Sequence, residues 1–206
     1  SPKGGKLVTF FERYRKPLSF LAGFVYLAAL LFTDTHHALW QHIAYDAIGI
    51  TMIALAALGR VWCALYIAGR KNSQLTVDGP YSMVRNPLYF FSFLGLVGIG
   101  VFAHLPALAL LSVPVFLIYY HYVIGAEELR LLRLFGDSYL EYYRKTPRFW
   151  PNPKLFHTRE SFSIEPVRIT RAMMEVVWFL LSLAMLEFIE QLHESGIVSI
   201  LYYWPF

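Results

Sequence analysis

The hydrophobic positions of the chain gather in five long runs, separated by polar or aromatic stretches. The runs cover about 17–32, 43–69, 87–103, 107–124 and 173–190. An α-helix needs roughly 20 apolar residues to cross the ~30 Å hydrocarbon core of a bilayer, with about 17 as the short limit. We therefore expect an all-α integral membrane protein with about five transmembrane helices, of which the first, third and fourth are near the short limit.

The third and fourth runs are separated only by His104, Leu105 and Pro106. A connection this short between two helices predicts a tight antiparallel hairpin. The hairpin would bring the stretch before the third helix, 79–89, to the same membrane face as the helical segment after the fourth, 125–150. The pattern thus predicts that two polar, aromatic-rich stretches meet in one place.

Composition and charge support this interpretation and orient the chain. Hydrophobic residues make up 57% of the chain and charged residues only 16%, whereas about 25% is usual in a soluble domain. The single cysteine, Cys63, excludes a disulfide within the chain. Lys and Arg are absent from 33–42, 104–106 and 191–206, which alternate with basic stretches. This positive-inside pattern predicts a bacterial inner-membrane protein with its N-terminus in the cytoplasm and its C-terminus outside.

The stretch GPYSMVRNPLY, 79–89, has two interpretations. Asn86 and Pro87 suit the start of a helix, because Asn is a good N-cap and Pro lacks an N–H that the first helical position does not need. This leaves Arg85 and the two tyrosines unexplained. Because a helix N-terminus attracts anions, the stretch is alternatively a site for a carboxylate or a phosphate.

The glycines and carboxylates around the hairpin also have two interpretations each. Gly98 and Gly100 suit close helix packing, or they leave room for a ligand. Glu127 and Glu128 follow the aromatic end of the fourth run, where acidic side chains oppose the helix dipole. Either the helix continues beyond them, with Glu127 pairing with Arg130 at i,i+3, or these carboxylates have another role.

Two charged residues lie inside the second run, where ionisable side chains are costly and are functional candidates by default. Arg60 is about 15 Å deep by helical rise, whereas Asp46 is near the outer end. His36, His37 and His42 fall in the outer loop but lack a spacing typical of metal ligands. The sequence therefore predicts no bound metal.

The stretch FGDSYLEYYRKTPRFWP, 135–151, mixes aromatic and basic residues. It is typical of an amphipathic segment at the membrane interface. The alternative is a lid whose tyrosines and Arg148 face a cofactor.

Together these motifs resemble the isoprenylcysteine carboxyl methyltransferase and phospholipid methyltransferase superfamily of integral membrane enzymes. The resemblance covers about 55–151 of a single membrane domain, 1–206, and leaves 173–190 as an extra span. It rests, in this order, on GPY at 79–81, RNPLY at 85–89, GIG at 98–100, EE at 127–128, FGDSYLEY at 135–142 and PR at 147–148.

The resemblance implies S-adenosylmethionine as methyl donor, bound at the cytoplasmic face by the loop before the third helix, that helix and the segment after the hairpin. The implied cofactor-binding residues are Tyr81, Arg85, Asn86, Pro87, Tyr89, Gly98, Gly100, Glu127, Glu128, Tyr139 and Tyr142. The candidate catalytic residues are Arg60, Arg148 and Glu128. Many family members have histidine at position 86, and an Asn there cannot act as a base.

The methyl acceptor is expected to be a lipid or a small molecule with a carboxylate, thiol or amine, and no nucleic-acid partner is expected. A carboxylate needs no base, and the sequence shows no buried histidine near the motifs, which favours an anionic acceptor. Two alternatives stay open: an NADPH-dependent membrane reductase, since sterol reductases resemble this fold, and a non-catalytic membrane protein. The polar set Arg85, Glu127, Glu128, Tyr139 and Arg148 argues against the second.

Overall fold

The computed structural model describes residues 21, 23–35, 38–68, 74–160 and 166–204. His36 and His37 lie outside the described residues, and so do seven basic residues of the stretches that orient the chain: Lys3, Lys6, Arg13, Arg15, Lys16, Arg70 and Lys71. The beginning of the first predicted span, 17–20, lies outside them as well.

The described residues form six helices and two short strands. In chain order they are α1 Gly23–Phe32, β1 Thr33–Thr35, α2 Leu39–Ile67, α3 Pro80–Met83, α4 Pro87–Phe102, α5 Pro106–Lys145, α6 Pro166–Glu194 and β2 Tyr202–Trp204, with a 3-10 turn at Pro153–Leu155. The helices α2 and α5 and the Val176–Glu194 part of α6 are long and apolar enough to cross a membrane, while α1 and α4 are shorter apolar helices. The all-α membrane fold is confirmed.

The tight hairpin between α4 and α5 is also confirmed. Only Ala103, His104 and Leu105 join the two helices, and the turn is closed by a 3.1 Å hydrogen bond from Leu105 N to Gly100 O. His104 has φ of 57°, a backbone conformation that few residues other than glycine adopt. The chain reverses at this residue and α5 packs back along α4.

Close contact between helices accounts for the glycines of α4. A Cβ at Gly98 would lie 2.9 Å from Met52 Cβ on α2, and a Cβ at Gly100 would lie 2.7 Å from Ala109 Cβ on α5. Both distances are shorter than real Cβ contacts, so larger residues would push the helices apart. Close helix packing, one of the two interpretations of Gly98 and Gly100, is therefore present.

The long helix α5 bends back on itself at Gly136, where φ is 53° and ψ is −126°. On a straight helix Glu128 and Tyr143 would be about 22 Å apart, yet one side chain, that of Arg85, hydrogen-bonds to both. The two limbs of α5, 106–135 and 137–145, therefore lie close together. The helix continues past the Glu127–Glu128 pair, as one interpretation of the sequence predicted, but the reversal was not predicted.

A small parallel sheet at the other end of the bundle was not predicted either. β1 pairs with β2 in the register Thr33 with Tyr202 and Asp34 with Tyr203. It holds the C-terminal tail against the end of α1, above a buried cluster to which Ile53, Phe102 and Leu186 contribute. The tail thereby covers the hairpin end of the bundle.

Candidate functional site

The loop before α4 and the segment after α5 meet as the sequence predicts. Arg85 N donates to Pro147 O at 2.9 Å, and Asn152 N donates to Met83 O at 2.9 Å. These bonds satisfy backbone groups that would otherwise be unpaired in an irregular segment. They fix the position of Arg148 relative to α4.

The side chain of Arg85 is 7% exposed and lies at the centre of the site. Its Nε and Nη2 donate to Glu128 Oε1 at 3.1 and 3.0 Å. Its Nη1 donates to the carbonyl oxygens of Tyr143 and Thr146, both at 2.6 Å, where a cation is favourable because helix α5 ends there. The guanidinium also stacks 3.9 Å from the centroid of the Tyr143 ring.

Glu128 lies between two arginines. Its Oε1 accepts from Arg85, and its Oε2 is 3.2 Å from Arg148 Nε. The Arg148 side chain is 31% exposed and also contacts His121, with 3.0 Å between Nη1 and Nδ1. Two guanidiniums share one carboxylate, so this arginine cluster, Arg85, Glu128 and Arg148, carries one excess positive charge.

The neighbouring carboxylate, Glu127, faces a different set of groups. Tyr89 Oη donates to Glu127 Oε2 at 3.2 Å, and Arg130 Nη2 donates to Oε1 at 2.7 Å. The predicted i,i+3 pair with Arg130 is therefore present. The Glu127 side chain is 32% exposed, which leaves part of the carboxylate open to a ligand.

Asn86 is the N-cap residue of α4 by position, but its side chain does not cap the helix. Its Nδ2 instead donates to Arg148 O at 3.0 Å. The predicted helix start at Asn86 is confirmed, but the side chain makes no capping hydrogen bond, because its amide is turned toward the segment after α5. Pro87 follows as the first helical residue and is buried, as predicted.

Three tyrosines form a buried layer beneath the arginine cluster. Tyr142 Oη donates to Tyr81 O at 2.7 Å, and Tyr139 is 2% exposed with its ring centroid 6.1 Å from that of Tyr142. Tyr81 Oη is buried and has no hydrogen-bond partner among the residues that the structure describes. Burial raises the pKa of Tyr81 well above its ordinary value, so this hydroxyl is neutral.

Arg60 lies on α2 against the first turns of α4. Its Nη1 donates to Ser92 Oγ and lies 3.5 Å from Leu88 O. The guanidinium is thus hydrogen-bonded within the bundle, which is how an ionisable side chain is tolerated at this depth. It is also near enough to Tyr81 to lower the pKa of that hydroxyl slightly, against the larger effect of burial.

Aromatic rings continue from Arg148 along α4. Phe149 and Trp150 contact Phe90 and Phe93, with ring centroids 5.7 to 6.2 Å apart. Trp150 is 62% exposed. The sequence indicated aromatic character in 135–151 but gave no signal that α4 supplies the partner rings. His121 was missed for the same reason, since no motif connects it to Arg148.

Comparisons with known proteins support the family resemblance. A model of the phospholipid methyltransferase family matches residues 35–138. The nickel-cobalt-cadmium resistance protein NccN of Alcaligenes xylosoxydans xylosoxydans is 35% identical over 178 residues, which cover 84% of this chain and 82% of that protein. The cobalt-zinc-cadmium resistance protein CzcN of Cupriavidus metallidurans is 34% identical over 173 residues, which cover 84% and 80%. No solved structure matches the chain.

Proposed function

The chain belongs to the phospholipid methyltransferase family, and from this premise we propose that it transfers a methyl group from S-adenosylmethionine to a lipophilic or small anionic acceptor. The reaction would take place beside the arginine cluster, at what charge distribution predicts to be the cytoplasmic face. The observation that carries the proposal is the sharing of one buried carboxylate, Glu128, between Arg85 and Arg148. This leaves one positive charge for an anionic ligand group.

The residues present fit S-adenosylmethionine. The cofactor has a carboxylate, an ammonium group, ribose hydroxyls and an adenine ring. The partly exposed Glu127 suits the ammonium or a ribose hydroxyl, and the one excess positive charge of the arginine cluster is left for the acceptor. An unpaired buried hydroxyl is unfavourable in a folded protein, so Tyr81 Oη suits a polar atom of a ligand.

The bound cofactor supplies a methyl group that its sulfonium has already activated for transfer. The chain therefore has to orient the acceptor in line and to exclude water. We assign the orientation to Arg148, whose partly exposed guanidinium can pair with an acceptor carboxylate. Glu128 positions Arg148, because both of its oxygens already face guanidiniums. Arg60, whose guanidinium lies against the first turns of α4, is the second candidate for the acceptor.

A lipophilic acceptor is supported by the aromatic surface that begins at Phe149 and Trp150. Trp150 is largely exposed although it lies between apolar helices and the arginine cluster. Exposed aromatic rings of this kind suit the interface between bilayer and water. We propose that the acceptor enters from the membrane along these rings, with its nucleophile directed at Arg148.

The direct test is a binding and transfer assay on the full chain, purified in detergent. We expect calorimetry to show binding of S-adenosylmethionine, and a labelled methyl group to appear in extracted host lipids or in one of a panel of small acids, thiols and amines. NADPH titrated in parallel separates the reductase alternative. Binding of NADPH without any binding of S-adenosylmethionine would refute the proposal.

The two relatives carry names that describe resistance to nickel, cobalt, zinc and cadmium. We propose that methyl transfer by this chain serves resistance to such divalent cations. The test is complementation of a bacterial strain that lacks CzcN, scored by growth with added cobalt or zinc. The wild-type chain should restore growth, and Glu128→Gln should not. Equal rescue by both would mean that resistance does not depend on methyl transfer.

A further inference from the structure

A second polar cluster lies at the hairpin end of the bundle, away from the arginine cluster. The 16 residues of α4 separate the two ends by about 24 Å. At the hairpin end a cavity of about 380 Å³ is lined by polar residues that include His42, His104, Glu190 and His193. None of these residues belongs to the motifs that carry the family resemblance.

Three of the side chains converge on one point. His42 lies on α2, His104 on the turn between α4 and α5, and Glu190 on α6, and each offers one ligand atom within 4.8 Å of the other two. Ligand atoms about 2 Å from a tetrahedral ion are roughly 3.4 Å apart, so small side-chain rotations are enough to close the site. His104 is buried, and the other two are half-buried.

A carboxylate already orients one of these imidazoles. Asp46 Oδ1 is 2.8 Å from His104 Nε2, and carboxylates commonly hold a metal-bound histidine in this way, fixing its tautomer and ring orientation. The ring of His104 lies against α2, where the centroid of the His42 ring is 4.3 Å away. The three parts of the cluster are therefore positioned by separate elements.

The charge around this cluster suits a cation. Glu187, Asp46 and Glu194 each act electrostatically on Glu190, while the segments 33–42, 104–106 and 191–206 contain no Lys or Arg. Arg60, on the same helix as Asp46, is 14 residues away, or about 21 Å by helical rise. A field of one sign within a cavity raises the local concentration of a counter-ion.

We propose that His42, His104 and Glu190 bind a divalent transition-metal ion, with Asp46 as the residue that positions His104. Two imidazoles and one carboxylate suit Zn²⁺ or Co²⁺, which accept mixed nitrogen and oxygen ligands. They do not suit Mg²⁺ or Ca²⁺, which prefer oxygen ligands. The proposal replaces the expectation from the sequence that the chain binds no metal. It stands independently of methyl transfer.

The test titrates Co²⁺ into the full chain in detergent, after removal of any affinity tag, and follows the visible absorption bands of tetrahedral cobalt. Zn²⁺ should then displace the cobalt. We expect one ion per chain, with binding weakened more than tenfold in His42→Asn, His104→Asn and Glu190→Gln. Asn is chosen at position 104 because it tolerates positive φ. Asp46→Asn should weaken binding about 10- to 100-fold.

His157→Asn is the matched control, because His157 lies at the other end of the bundle. This control should bind Co²⁺ like the wild type, and every variant should bind S-adenosylmethionine like the wild type if it is folded. Absence of saturable Co²⁺ binding, or equal affinity in the wild type and the three ligand variants, would overturn the metal site. Intact Co²⁺ binding without binding of S-adenosylmethionine would refute the proposed function alone.

Discussion

The two ends of the helix bundle hold their polar groups in opposite ways. At the arginine cluster, formed by Arg85, Glu128 and Arg148, positive charge exceeds negative charge, and ion pairs join the three side chains. At the histidine cluster, formed by His42, His104 and Glu190, the surrounding charges are carboxylates. The first end suits an anion and the second a cation, so a single bundle presents two sites of opposite polarity.

The ends also differ in how the chain builds them. The residues of the arginine cluster fall within 85–148, on the loop and the helix that the family motifs mark. The histidine cluster joins residues as far apart as His42 and Glu190, on two helices and a turn. A motif reveals the first kind of site, whereas only the packing of distant helices reveals the second.

The largest effect is expected from Glu128→Ala. The change leaves Arg85 and Arg148 without their shared carboxylate, and removal of one partner of a buried ion pair costs about 3–5 kcal/mol. We expect loss of S-adenosylmethionine binding and a lower thermal unfolding temperature in detergent. Glu141→Ala is the control, because its pair with Lys145 is exposed. Normal cofactor affinity in Glu128→Ala would remove the arginine cluster from the proposed site.

Zn²⁺ bound at the histidine cluster should stabilise the folded protein by an amount comparable to the stability that Glu128→Ala removes. An ion that binds only the folded state contributes about 2.7 kcal/mol at 100 times its dissociation constant. The unfolding temperature of the wild type should rise with Zn²⁺ and fall again with a chelator. Glu190→Gln should show neither change, while its affinity for S-adenosylmethionine stays normal. An equal Zn²⁺ effect in wild type and Glu190→Gln would place the ion elsewhere.

Gly136→Ala tests the reversal of α5 that brings Glu128 and Tyr143 to the same arginine. A Cβ at Gly136 meets nothing within 4 Å, so the cost arises from its φ of 53° alone, at about 1–3 kcal/mol. Thermal unfolding and calorimetry should show lower stability and weaker cofactor binding. Gly23→Ala, in the helical α1 with similar free space, should cost nothing; a similar loss there would mean that backbone conformation is not the cause.

The smallest effects on stability are expected from substitutions of two tyrosines in the buried layer, and the two substitutions should differ. Tyr142→Phe removes the hydrogen bond to Tyr81 O and should cost about 0.5–1.5 kcal/mol of stability. Tyr81→Phe removes a hydroxyl that is unpaired among the described residues, so stability should stay constant or rise. If that hydroxyl contacts the cofactor, calorimetry should nevertheless show weaker binding. Unchanged affinity in Tyr81→Phe would exclude the contact.

Much of the fold was predictable because bilayer thickness and a three-residue turn restrict where apolar runs can lie. The family motifs also indicated which polar residues would meet: Arg85, Glu127 and Glu128 do lie where the loop and α5 come together. The contacts of individual residues were harder to predict from the sequence. Asn86 begins α4 as predicted, but its side chain donates to Arg148 O and does not cap the helix, and Gly98 packs on α2, one of its two interpretations.

The sequence by itself determined the membrane class, the hairpin and the family, because these follow from hydrophobic runs and from motifs that are local in the chain. Tertiary structure alone decided three other features: the reversal at Gly136, the contact of His121 with Arg148, and the convergence of His42, His104 and Glu190. The physical reason is the same for all three. Each depends on which faces of separate helices come into contact, and the hydrophobic pattern of a membrane helix, apolar nearly all round, does not specify those faces.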